Sequence, residues 1–180
     1  MSRLVDRGAV VAAYVGIGVA VTVGVSFLLV IPIEIVFLLL GLPSGLLIGY
    51  YANSRAERDG GPLGRIVANG AFAAAVTAAT MALLYVGVKG LFFVGDNGYR
   101  DASLGAPLAC ESGAGCVYAR YAADPELGPQ LAAAGVDDVA SFTDFYWAAQ
   151  LSNAGTVLGL TLAGGIAGAL VFAVARRRPA

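Results

Sequence analysis

Histidine is absent from this chain, and cysteine occurs only twice. The first absence removes the commonest general base, haem ligand and zinc ligand. The second excludes a four-thiolate metal site. Charge is also scarce: 13% of the 180 residues are Asp, Glu, Lys or Arg, where a soluble domain carries about 25%. Lys89 is the single lysine, so every other basic residue is arginine. No glycine-rich loop follows a strand to cradle phosphate, no nucleophile is paired with a base, and no residues are spaced as metal ligands. No basic patch is suited to nucleic acid. Neither catalytic residues nor a cofactor are therefore expected, apart from bound lipid.

What is present is apolar surface. Hydrophobic residues make up 58% of the chain, more than a water-soluble fold of this size hides, so part of the solvent must be lipid. Four apolar stretches stand out: Gly8 to about Val30, about Glu34 to Tyr51, Ile66 to Phe93 and Phe145 to Ala175. Each is long enough for the ~30 Å hydrocarbon core. The first does not fit a cleaved signal peptide, whose apolar region spans about 7–15 residues and ends in a small-residue cleavage site. Only Ile31-Pro32-Ile33 separates the first two stretches. A single helix through both would be roughly 50 Å long, too long for one crossing without extreme tilt. Pro32 removes a backbone donor and disfavours helix at Ile31. The pattern predicts a tight hairpin; the competing reading is one crossing from about Gly16 to Leu40.

Arginine placement decides between them, because Arg and Lys near helix ends stay on the cytoplasmic side. With the hairpin, Arg3, Arg7, Arg55, Arg58, Arg65, Arg176, Arg177 and Arg178 share one side, and only Arg100 and Arg120 face the other. The fold class expected is an all-α integral membrane protein with four transmembrane helices and both termini cytoplasmic. Residues 1–95 would hold the first three helices with a short cytoplasmic loop at 53–65. Residues 96–144 would form an extracytoplasmic loop domain, and residues 145–180 the fourth helix and a basic tail. The location expected is the plasma or inner membrane.

The external segment carries eight acidic residues against two arginines, an excess that keeps it hydrated. Within it, Cys110 and Cys116 flank Gly113 and Gly115. Glycine gives the backbone freedom for the sulfurs to meet, and that side of the membrane is oxidising, so a structural disulfide is expected; a redox-active pair is the sharper alternative. Asp124 followed by Pro125 reads as a helix start and Gly135 as its stop, with an interruption at Gly128-Pro129. Ser141-x-x-Asp144 reads as a capping box opening the fourth helix.

In lipid, helices associate by close backbone approach more than by apolar burial. Ala12, Gly16, Ala20 and Gly24 place a small residue at every fourth position of the first helix, and Gly155, Gly159, Ala163 and Ala167 do so in the fourth. Both stripes are expected to pack against neighbouring helices or each other; Ala71, Ala75 and Ala79 in the third are a weaker case. Ionisable groups in apolar helices are costly and often functional. Glu34 and Lys89 are the candidates, and with Asn153 they share one depth in a four-crossing arrangement. That cluster is either an ion-pair site or a set of interfacial anchors.

These features point to a non-catalytic multi-pass protein, an accessory or scaffold subunit of a larger membrane complex. Its partners would be membrane lipids and other membrane subunits, with no nucleic acid. A small homo-oligomeric transporter or channel is the alternative, and a membrane thiol-redox enzyme a weaker one.

Overall fold

Helix α1 spans Arg7–Ser26, α2 Ile33–Ser54, α3 Leu63–Gly95, α4 Ala114–Ala123, α5 Leu127–Ala133 and α6 Val139–Ala175. The computed structural model describes residues 5–26, 33–56, 61–95 and 110–176. Among these, all regular structure is helical, and α1, α2, α3 and α6 are long and apolar enough to cross a membrane. Pro32, Arg3, Arg58, Arg100, Arg177 and Arg178 lie outside the described residues.

The chain divides into two compact units. One comprises Met1–Tyr85 and Asn153–Ala180, the other Val86–Ser152. The second unit therefore starts inside α3, at Val86. It also takes in the first turns of α6.

In the first unit, α1 and α2 run antiparallel: Gly8, at the start of α1, lies against the backbone of Arg55, just beyond the end of α2. Helix α2 thus lies antiparallel beside α1. Ala9 and Ala12 of α1 pack with Ile48 and Ala52 of α2 and Ala73 of α3. Pro62 precedes α3, and its carbonyl accepts from the amides of Arg65 and Ile66 at 2.9 and 3.3 Å. Pro43 lies inside α2. Its ring removes one ladder donor, that for the Leu39 carbonyl, yet the helix continues.

Contact among α2, α3 and α6 is built on glycine. A side chain on Gly49 would strike the Gly165 carbonyl, and one on Gly45 the Thr161 carbonyl. In the opposite direction, Gly164 abuts the Leu42 carbonyl and Gly168 the Leu46 carbonyl. A Cβ on Gly70 of α3 would lie 2.9 Å from the Gly165 carbonyl oxygen and 2.7 Å from Ala169 Cβ. Gly49, Gly70 and Gly165 therefore form a node where three helix backbones meet. Close approach of this kind replaces the hydrophobic drive that lipid removes.

The second unit has an aromatic core. Phe93, Val117, Leu131, Val136, Phe142 and Tyr146 are buried together, with Tyr118, Tyr121 and Trp147 packed on them. Phe93 lies 4.7 Å from Tyr146 and 5.5 Å from Trp147 by ring centroids. These rings form a small hydrophobic core.

Local starts and stops explain the short helices. Gly113, at φ +134°, precedes α4 in a conformation side chains rarely adopt. Gly135, at φ +71°, ends the turn after α5. There the amide of Val136 donates to the Leu131 carbonyl and that of Gly135 to Ala132, a Schellman pair. Asp124 Oδ1 accepts from the amides of Glu126 and Leu127 at 2.8 and 2.9 Å. The fourth apolar helix opens earlier than Ser141-x-x-Asp144 suggests. Asp138 Oδ1 accepts from the Ser141 amide at 2.7 Å, and the Asp138 amide donates to Ser141 Oγ at 3.2 Å. The box is therefore Asp138-x-x-Ser141; either residue type can cap, and the reciprocal pair forms where both amides need acceptors.

These bonds hold two carboxyls below their ordinary range. For Asp124 the leading cause is the Leu127 amide, then that of Glu126. For Asp138 it is the Ser141 amide, then the Ser141 hydroxyl. A folded-state value below the unfolded one contributes stability above the unfolded value, which is lost as pH falls through the folded value. Protection of the Leu127 and Ser141 amides from hydrogen exchange is therefore expected to drop as pH falls below about 4. In Asp138→Ala the Ser141 amide should be weakly protected at every pH; an unchanged acid response there would contradict the assignment.

Candidate functional site

A connected polar group lies at the arginine-bearing end of the first unit, and it is built by three separate chain segments. Asn69 lies near the start of α3, in an otherwise apolar run, and is 1% exposed. Its Nδ2 donates to Asp6 Oδ2 at 3.2 Å and to Asn53 Oδ1 at 3.4 Å. Its Oδ1 accepts from the Asp6 amide at 3.0 Å. Asn53, in the last turn of α2, donates from Nδ2 to the Gly49 carbonyl at 3.1 Å and the Ile66 carbonyl at 3.0 Å. The residues before α1, the end of α2 and the start of α3 are thus tied by two amides. Arg65 and Phe172 border the same small hollow.

This clasp is structural in its chemistry. Both carboxamides spend their donors on protein acceptors, satisfying buried groups that would otherwise cost free energy. Replacing Asn69 with leucine strands the Asp6 amide and Asn53 Oδ1. The expected cost is about 1–3 kcal/mol, read as a lower midpoint in detergent unfolding. Asn53→Leu combined with Asn69→Leu should cost less than the sum of the two single changes; simple additivity would show that the two amides act independently.

The sequence pattern singles out none of Asp6, Asn53 and Asn69, and it places Asn53 at the start of an exposed loop. One signal is there to be read: a lone Asn in an apolar helix needs a partner, because lipid offers none.

The sequence-predicted residues fall as follows. Cys110 and Cys116 form a disulfide, with Cα atoms 5.4 Å apart. Glu34 is in the first turn of α2. Asn153 Nδ2 donates to Tyr85 Oη at 3.3 Å. Tyr85 itself is fully buried, edge-on to Phe37 at 5.7 Å. The backbone carbonyl of Lys89 accepts from Tyr146 Oη at 3.4 Å. Lys89 belongs to the second unit, and Glu34 and Asn153 to the first.

Ala12, Gly16, Ala20 and Gly24 are all buried. Gly16 faces Thr77 and Gly24 faces Leu84, both of α3. Gly155, Gly159, Ala163 and Ala167 lie on the exposed face of α6 instead, and within this chain a different face makes the contact. Ala154, Val157, Thr161, Gly164, Gly165, Gly168 and Ala169 are among the buried positions there. The physical reason is the glycine node: three glycines admit a backbone where alanine methyls do not. Ala75 and Ala79 of α3 are likewise exposed, and Ala73, Ala74, Thr77 and Ala78 are buried in their place.

Among the described residues, no group of three or more Cys, Asp or Glu side chains is placed to hold a metal ion. No protein-family model, curated protein or solved structure matches this chain.

Proposed function

We propose that this protein is a non-catalytic, multi-pass subunit of a larger assembly in the plasma or inner membrane. In this reading both termini are cytoplasmic, and the acidic segment at 96–144 faces the other side and makes protein contacts. The observation that carries the reading is the second small-residue face of α6. Gly155 and Gly159 lie outward, and a Cβ built on either has no atom within 4 Å. Ala163 and Ala167 continue the same exposed stripe. A transmembrane helix from another subunit can approach the α6 backbone there, as α2 does on the packed face. Supporting this, the buried side chains of Asn53 and Asn69 tie separate segments of the first unit together, which makes it a stable platform. Membrane lipid fills the remaining apolar surface.

Purification in a mild detergent tests the reading. Unlike chains should co-purify in fixed ratio, and Gly155→Leu with Gly159→Leu should release them while leaving the chain's own melting temperature unchanged. Recovery of the unmodified protein only as a lone monomer would refute it. A ring of identical copies would instead favour a small homo-oligomeric channel or transporter.

A further inference from the structure

A hollow of about 340 Å³ opens beside the start of α1, lined by Arg7, Gly8, Val11, Tyr51 and Arg55. We propose that it binds a phosphate-bearing anion, held between the guanidinium groups of Arg7 and Arg55.

The sequence separates these arginines by a whole helical hairpin, and Gly8 brings them together. Gly8 is buried, and a Cβ there would lie 2.5 Å from the Arg55 carbonyl carbon and oxygen and 2.7 Å from the Ala56 nitrogen. Only a residue without a side chain lets the first turn of α1 rest on the end of α2. The two arginines therefore line one hollow from opposite ends of the hairpin, and both are exposed.

Three further features suit the ligand. The Arg55 guanidinium sits over the Tyr51 ring, 5.4 Å from its centroid. This cation–π contact restrains the group, and a guanidinium so held can donate to phosphate through paired hydrogen bonds. The hollow lies at the N-terminal, positive end of the α1 dipole. Val11, 44% exposed, gives one wall an apolar surface. This matches the glycerol of an acidic phospholipid as well as the edge of a soluble phosphate ester.

The test uses the full chain in a zwitterionic detergent, with phosphatidylglycerol, phosphatidylcholine and inorganic phosphate as probes. Binding is followed by native mass spectrometry and by thermal shift. Phosphatidylglycerol is expected to bind in preference to phosphatidylcholine. Arg7→Gln and Arg55→Gln should each weaken that binding about fivefold, the share of one arginine near an anionic headgroup. Arg176→Gln, which removes an equal charge from the end of α6, should leave it within about twofold. Val11→Trp fills the hollow with both arginines intact and should abolish binding, so the outcome does not depend on the arginine variants folding. Stabilisation by inorganic phosphate, with displacement of the lipid, identifies a soluble phosphate as the ligand; lipid binding that phosphate leaves unchanged identifies a headgroup. Either result supports the site. The proposal is overturned if neither probe binds, if both lipids bind equally, if Arg176→Gln matches Arg55→Gln, or if Val11→Trp retains binding.

Discussion

Gly49→Leu is expected to prevent the first unit from packing. A Cβ at this position overlaps the Gly165 carbonyl oxygen and lies 2.7 Å from the Gly165 Cα and carbonyl carbon. Side-chain overpacking in a core costs about 1–3 kcal/mol when neighbours can shift rotamers. Here the neighbour is backbone, and Gly70 on α3 closes the other side. The loss should therefore exceed about 3 kcal/mol, seen as a collapse of the unfolding midpoint in detergent or as failure to recover monodisperse protein. Gly18→Leu is the matched control. Gly18 has no atom within 4 Å of its Cβ position, so the same change there should leave stability unchanged or slightly raised, since leucine favours helix over glycine. Equal losses in the two variants would remove the close-approach explanation.

Phe142→Ala should be as severe for the second unit. Phe142 is fully buried. Its ring centroid lies 5.3 Å from Tyr121, 5.4 Å from Tyr118, 6.0 Å from Tyr146 and 6.4 Å from Phe93. Deleting a buried phenyl ring costs about 3–5 kcal/mol, the higher end where the surroundings cannot collapse. The rings come from α3, α4 and α6, each anchored in its own helix. Trp147 fluorescence and near-ultraviolet circular dichroism should lose their folded signature in Phe142→Ala and largely keep it in Phe142→Leu. Rapid chymotryptic cutting between Cys110 and Val136 should accompany the loss. An alanine variant that stays resistant would show that the aromatic cluster is not what holds α4 and α5.

Much of the helical layout is legible in the sequence because membrane spans leave a one-dimensional signal. The run of apolar residues from Gly8 and the close of α5 at Gly135 each follow from a single backbone or solvation rule. The small residues of α1 are legible for the same reason. Which face of α6 packs is not. That helix carries two small-residue stripes, and the choice between them depends on glycines in α2 and α3 that match one stripe in three dimensions. The Asp6–Asn53–Asn69 clasp is hidden in a similar way, since its members are far apart in the chain and none belongs to a motif. Helix α4 has no clear start signal because its opening rests on Gly113 next to a disulfide, and the short, mixed sequence after it lacks strong periodicity. The start of α6 carries a further ambiguity: Asp138, Ser141 and Asp144 offer two overlapping boxes, and only the hydrogen bonds choose.

The meeting of Gly49 with Gly165 also has a mechanical corollary. Each backbone sits in a notch that the other's missing side chain leaves, and Gly45 against Thr161 repeats the arrangement one turn earlier. Sliding α2 along α6 by part of a turn would drive a carbonyl into a Cβ, so the next matching position is a full turn away, about 5.4 Å. Small shearing motions between these helices are thereby barred, and the pair transmits force as a single strut.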